Sequence, residues 1–241
     1  MPLRRYRPRR YRRRTKRRRP RYRKAMIRRP QLRRPILSGF PSHVYVKLRY
    51  VTEFTLDAAI GGAAQRVFRA NSLFDPDVTG VGHQPMGFDQ WAEIYSHYTV
   101  LGSKMTLRLL PADSTNYNTA YWGILLDTTT NGTAGFSTNM NVLESKLCSN
   151  SFKIAGNGNQ QYNPDPNQVI TKYFSAKKFF GQKNIRDGSA NSAEVSANPS
   201  NEAYLIPFVL SAGGNDPGPI QFTAIIDYIA MFRDPVTIDG S

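Results

Sequence analysis

The sequence has one cysteine, Cys148, three histidines and two tryptophans among 241 residues. A single cysteine excludes an intrachain disulfide framework and fits a reducing compartment. His43, His83 and His97 are scattered, so no imidazole pair has the spacing of metal ligands or a catalytic couple. No GxxxxGKS/T phosphate loop, GxGxxG turn, GxSxG elbow or HExxH helix occurs. The chain is therefore read as non-enzymatic, with no cofactor and no metal. Long hydrophobic runs are missing too. The best, Ile220 to Phe232, contains Asp227 and is too short for a bilayer, so no membrane insertion is expected. A basic start with no apolar stretch behind it does not match a secretion signal. Asn131-Gly132-Thr133 fits the glycosylation pattern but is accordingly read as a plain turn.

Acid is the remaining scarcity, and it is local. No Asp or Glu precedes Glu53, while residues 1–34 hold 17 arginines and 2 lysines, a charge of +19. The whole chain has 33 basic and 17 acidic residues, which leaves residues 35–241 with 14 against 17, a net of −3. Two physically different parts meet near Pro35: an arm, 1–34, and a body, 35–241. The arm has too little apolar surface to offset its conformational entropy and is expected to be disordered. The body is long enough to bury one sizeable core.

Nineteen like charges in one short segment repel each other and call for a polyanion. Arginine dominates lysine, which favours forked contacts to phosphate. Tyr6, Tyr11 and Tyr22 lie among the arginines, where they can stack on unpaired bases. Pro2, Pro8, Pro20 and Pro30 oppose a continuous basic helix. The candidate nucleic-acid-binding residues are Arg4, Arg5, Arg7, Arg9, Arg10, Arg12, Arg13, Arg14, Lys16, Arg17, Arg18, Arg19, Arg21, Arg23, Lys24, Arg28, Arg29, Arg33 and Arg34. Within them, Arg12-Arg13-Arg14 and Lys16-Arg17-Arg18-Arg19 match a nuclear-import signal, with an import receptor as partner. A second basic and aromatic stretch, "KYFSAKKFFGQKNIR", runs from Lys172 to Arg186. It reads either as a wall touching nucleic acid or, preferably, as core or interface aromatics with solvated lysines.

In the body, residues alternate from His43 to Leu56, with Val44, Val46, Leu48, Tyr50, Phe54 and Leu56 on one face. That is a half-buried strand. Gln65 to Ala70 reads as a second, short strand. "FDQWAEIYSHY" places Trp91, Ile94, Tyr95 and Tyr98 at helical spacing, with Asp89 as N-cap. Thr99 to Leu110 returns to period two, with Leu101, Met105, Leu107 and Leu109 inward. "NTAYWGILLDTTTNG", "SFKIA", "NQVITKYF", "EAYLIPFVLSA" and "IQFTAIIDYIAMF" are further strands, and "NVLESKLC" is one or two helical turns. Pro207 predicts an edge position or a bulge. "DPDVTG" (Asp75 to Gly80) has the opening of a calcium loop, but Met86 falls where the closing glutamate belongs, so it reads as a turn. About eight strands joined by long, uneven loops at 71–87 and 181–202 predict an all-β, eight-stranded jelly-roll sandwich.

Three segments also carry a family resemblance. The opening "MPLRRYRPRRYRRRTKRRRP" resembles the arginine-rich arms of capsid proteins from circoviruses and related circular single-stranded DNA viruses. "GFDQWAEIYSHYTVLGSKMTLRLLPA" is similar to their helix leading into a core strand, and "IQFTAIIDYIAMFRDP" to their last strand. Together these cover about a quarter of the chain. The resemblance implies an icosahedral T=1 shell of sixty copies, arms inward on single-stranded DNA rather than RNA, in the virion and the host nucleus. It implies a host-surface receptor without identifying one. A coat protein of a small positive-strand RNA virus and a cellular nucleic-acid-binding protein with a basic tail remain the alternatives.

Overall fold

The computed structural model describes residues 40–110, 119–145, 147–148, 152–155, 169–182, 184–185, 189–212 and 216–236. Ten strands occur among them: β1 (His43–Asp57), β2 (Ala63–Gln65), β3 (Phe68–Arg69), β4 (Tyr95–Leu109), β5 (Ala120–Asp127), β6 (Phe152–Ala155), β7 (Val169–Ser175), β8 (Ser192–Glu194), β9 (Tyr204–Ser211) and β10 (Pro219–Pro235). Three short helices join them: α1 (Phe88–Ala92), α2 (Asn139–Glu144) and α3 (Ala176–Phe179).

Every strand pairing is antiparallel, and the main pairs are nested: β1 with β10, β2 with β9, β4 with β7 and β5 with β6. The nested pairs then wrap into two sheets, ordered β1-β10-β4-β7 (sheet A) and β2-β9-β5-β6 (sheet B). That order is a jelly roll. Eight strands fill its positions, with β3 continuing the course of β2 along β9 and β8 added beside β4.

The strand with the clearest sequence pattern behaves as its alternation requires. In β1, Leu48, Tyr50, Phe54 and Leu56 are buried, and each residue between them is exposed or half-buried. They meet Phe222, Ile226 and Tyr228 of β10, Met105 and Leu107 of β4, and Trp122 and Ile124 of β5 in one core. Sheet B is covered on its other face as well. Ile206, Phe208 and Leu210 of β9 pack there with Val142 of α2 and Cys148 in a second cluster. All eight residues of β9 are thereby buried, which is why its sequence is a continuous apolar run without alternation. Sheet A has no such cover among the described residues.

Several expectations need correction. The helix ends at Ala92, and Tyr95 and Tyr98 belong to β4, opposite Pro235 and Phe232. Their helical spacing with Trp91 reflects a shared aromatic cluster around Phe232, while the β-favouring Tyr98-Thr99-Val100 takes the ladder to β10. Asp89 is not the N-cap. Gly87 is, at φ 88°, a conformation that suits glycine. A bulge at Leu101, between the pairs Ile229–Gly102 and Ala230–Val100, reverses the phase of β4. Val100 is therefore buried and Leu101 is not. The strand expected over Gln65 to Ala70 is broken at Arg66 and Val67. Pro207 accounts for the break. It lies in a central strand, between β5 and the β2–β3 pair, and not at an edge. Its carbonyl accepts the Arg66 N–H at 3.1 Å, so its missing N–H faces the interruption, where no ladder bond is lost.

Polar groups buried between the long loops tie the sandwich together at the end where β4 begins. Arg69 donates to Glu202 at 2.7 Å and to Asp75 at 2.7 Å, and Tyr228 donates to the Arg69 carbonyl. Burial, with a hydrogen bond to Glu202, pushes the Tyr204 phenol up to about 12. Asp77 is fully buried, pairs with Arg66 at 2.5 Å and accepts the Thr79 N–H at 3.1 Å. "DPDVTG" is thus an Asx turn locked by an ion pair.

Candidate nucleic-acid interface

All nineteen arm residues, from Arg4 to Arg34, lie outside the described residues, as do the import runs within them. The described residues begin at Phe40, inside the body. The Pro41 carbonyl accepts the Tyr95 hydroxyl at 3.0 Å, and the Ser42 carbonyl accepts the Asp234 N–H. β1, a strand of sheet A, is the first described element that follows the arm in sequence.

The stretch from Lys172 to Arg186 does not act as one unit. Lys172 turns inward and donates to the Leu147 and Cys148 carbonyls at 2.8 and 3.2 Å, and desolvation lowers its pKa. Phe174 is buried, and Phe179 and Phe180 pack edge-on against it. Lys177 and Lys178 are exposed on α3. Lys183 and Arg186 lie outside the described residues. Phe174, Phe179 and Phe180 pack as core aromatics and Lys177 and Lys178 are solvated, while Lys172 departs from that reading. Tyr173 is not a core residue, being 68% exposed on the opposite face of β7 from Phe174.

The strand registers show what stands beside Tyr173. Arg49, Asp227, Lys104 and Tyr173 form one row across the outer face of sheet A. Arg49 donates to Asp227 at 2.7 Å. Lys104 Nζ lies 5.7 Å from the Tyr173 ring centroid, a cation–π contact. The neighbouring rows place Gly102 opposite Ser175 and Thr106 opposite Thr171, so the floor around the ring is low. Gly102 is required there, because a Cβ would stand 2.9 Å from the Phe174 carbonyl. Lys47 and Arg108 add basic side chains to this face, Arg233 stands at its far end, and Glu53 shares the row of Arg108 across Thr223. Among the described residues neither Lys47, Lys104 nor Arg108 has an ion pair. Nothing local in the sequence groups Lys47, Lys104 and Arg108. Their grouping depends on registers between strands far apart in the chain.

Among the described residues, no group of three or more His, Cys, Asp or Glu side chains converges on a metal position. No described helix is long and apolar enough to cross a membrane.

The architecture defines a class: a two-sheet jelly roll preceded in sequence by a strongly basic segment. No family model matches the chain, and no curated protein does either. Among solved structures it is similar to Desmodium yellow mottle tymovirus, at 11% identity over 88% of this chain and 99% of that one, with a TM-score of 0.39. It is also similar to the BFDV capsid protein in a 60-mer, at 12% identity over 84% and 100%, with a TM-score of 0.38. Cocksfoot mottle virus gives 14% identity over 80% and 94%, with a TM-score of 0.40. The jelly roll is defined here by this chain's own strand order.

Proposed function

We propose that the chain is the capsid protein of a small icosahedral virus, a structural protein and not an enzyme, that packages a circular single-stranded DNA genome through its arm. The observation that carries this reading is the joining of +19 in residues 1–34 to a jelly-roll body of net −3. A body of that charge leaves polyanion capture mainly to the arm, and a jelly roll is an architecture that viral shells use. Self-association into sixty copies and virion localisation follow from the same reading. Imaging of the purified full-length chain tests it. Uniform closed particles are expected, and small monodisperse species would overturn it. A nuclease test on the extracted cargo separates DNA from RNA, the latter being what a positive-strand RNA virus coat would hold.

Nuclear import is proposed as a second use of the arm. A reporter fused to residues 1–34 is expected to enter the nucleus. Replacing Arg12, Arg13, Arg14, Lys16, Arg17, Arg18 and Arg19 with alanine is expected to keep it in the cytoplasm. Fluorescence microscopy reads the outcome, and cytoplasmic retention of the unmutated fusion would sink the proposal.

A further inference from the structure

We propose that the outer face of sheet A carries a second site for single-stranded nucleic acid, in which a base stacks on Tyr173 and phosphates meet Lys104, Arg108 and Lys47. The inference rests on the coat-protein reading for its biological setting, though not for its chemistry. The two sheets differ in one respect that matters here. The outer face of sheet B is closed by α2 and the loop ending at Cys148, whereas sheet A presents Tyr173 to solvent. A largely exposed aromatic ring costs free energy in water and is well suited to stacking, which serves any base because every base has a π-face.

The surroundings supply the rest of such a site. Lys104 reaches the ring while the small residues Gly102, Ser175, Thr106 and Thr171 leave room around it. Lys47, Lys104 and Arg108, which have no ion pair among the described residues, outnumber the one acid left on this stretch of the face, Glu53, since Asp227 is neutralised by Arg49, and they give it an attraction for phosphate. A base entering over Tyr173 displaces only a cation–π contact, and the freed ammonium can pair with the phosphate of the same nucleotide.

The test uses the full-length chain with oligo(dT) and oligo(U), at salt high enough to weaken the arm's contacts. Photo-cross-linking followed by peptide mapping is expected to place an adduct at Tyr173 in addition to those in the arm. Tyr173→Ser is expected to lower the high-salt affinity about tenfold, and Tyr173→Phe, which keeps the ring, to retain it. Adducts confined to the arm, or equal affinity of Tyr173→Ser and the unmutated chain, would overturn the proposal. So would a Tyr173→Ser chain that binds normally but no longer forms particles, since the ring would then be a subunit contact. Binding of either probe supports the site, and a preference between them indicates the cargo. Failure of the coat-protein reading looks different: the unmutated chain would form no particles even with the Tyr173 adduct present.

Discussion

Removal of residues 1–34 is expected to abolish most of the affinity for single-stranded nucleic acid and most of its salt dependence. Each phosphate neutralised on a single strand contributes roughly 0.7 to the slope of log affinity against log salt. If about ten of the arm's cations are engaged, the slope is about −7, and a fourfold rise in salt costs about 10⁴ in affinity. The body retains Lys47, Lys104 and Arg108 on the face of sheet A, enough for a slope of only about −2. The body should fold without the arm, because β1 starts at His43 and its root contacts at Pro41 and Ser42 are kept. Circular dichroism checks the fold, and titrations at several salt concentrations check the slope. An unchanged slope in the shortened chain would falsify the assignment of binding to the arm.

Arg69→Met is expected to be among the most damaging single substitutions in the body. The guanidinium joins Asp75 in one long loop to Glu202 beside β9, with its own side chain 13% exposed. Removing it leaves two partly buried carboxylates with no cation between them. A fully buried pair broken in this way costs about 3–5 kcal/mol, and the partial exposure here brings the expected loss to roughly 2–3 kcal/mol. For a domain of this size that is a fall of about 5–10 °C in melting temperature. Arg49→Met is the comparison. It breaks a pair of equal length, but Arg49 is 60% exposed, and its melting temperature should barely move. Equal losses in the two variants would show that burial does not set the strength of these pairs.

How far such features can be read in the sequence depends on their range. The alternation of β1 is a local property, and the sequence displays it directly, down to Leu48, Tyr50, Phe54 and Leu56. The helix before β4 was legible in kind but not in extent. Trp91, Tyr95 and Tyr98 share one cluster for tertiary reasons that mimic helical spacing. The bulge at Leu101 leaves no local mark, because one inserted residue changes the phase without changing the composition. The row from Arg49 to Tyr173 and the link from Arg69 to Glu202 join segments over a hundred positions apart in the chain, so nothing in either segment alone reveals them. Pro207 was noticed for the right chemical reason and placed wrongly, since its gap is made by Arg66 and Val67 on a neighbouring strand.

The nested pairing of β1 with β10 has a consequence for synthesis. Arg49 and its partner Asp227 are 178 positions apart, so β1 waits for most of the body before its ladder can form. At about 5–20 residues per second, that delay is on the order of ten seconds or more on the ribosome. A 15-residue strand rich in aromatic and β-branched residues, left unpaired for so long, is a template for pairing with other nascent chains. The residues made just before it carry the +19. Like charge at that density repels neighbouring chains at the place where premature strand pairing would begin. The arm thus gives the growing polypeptide colloidal protection while its first strand is still unpaired.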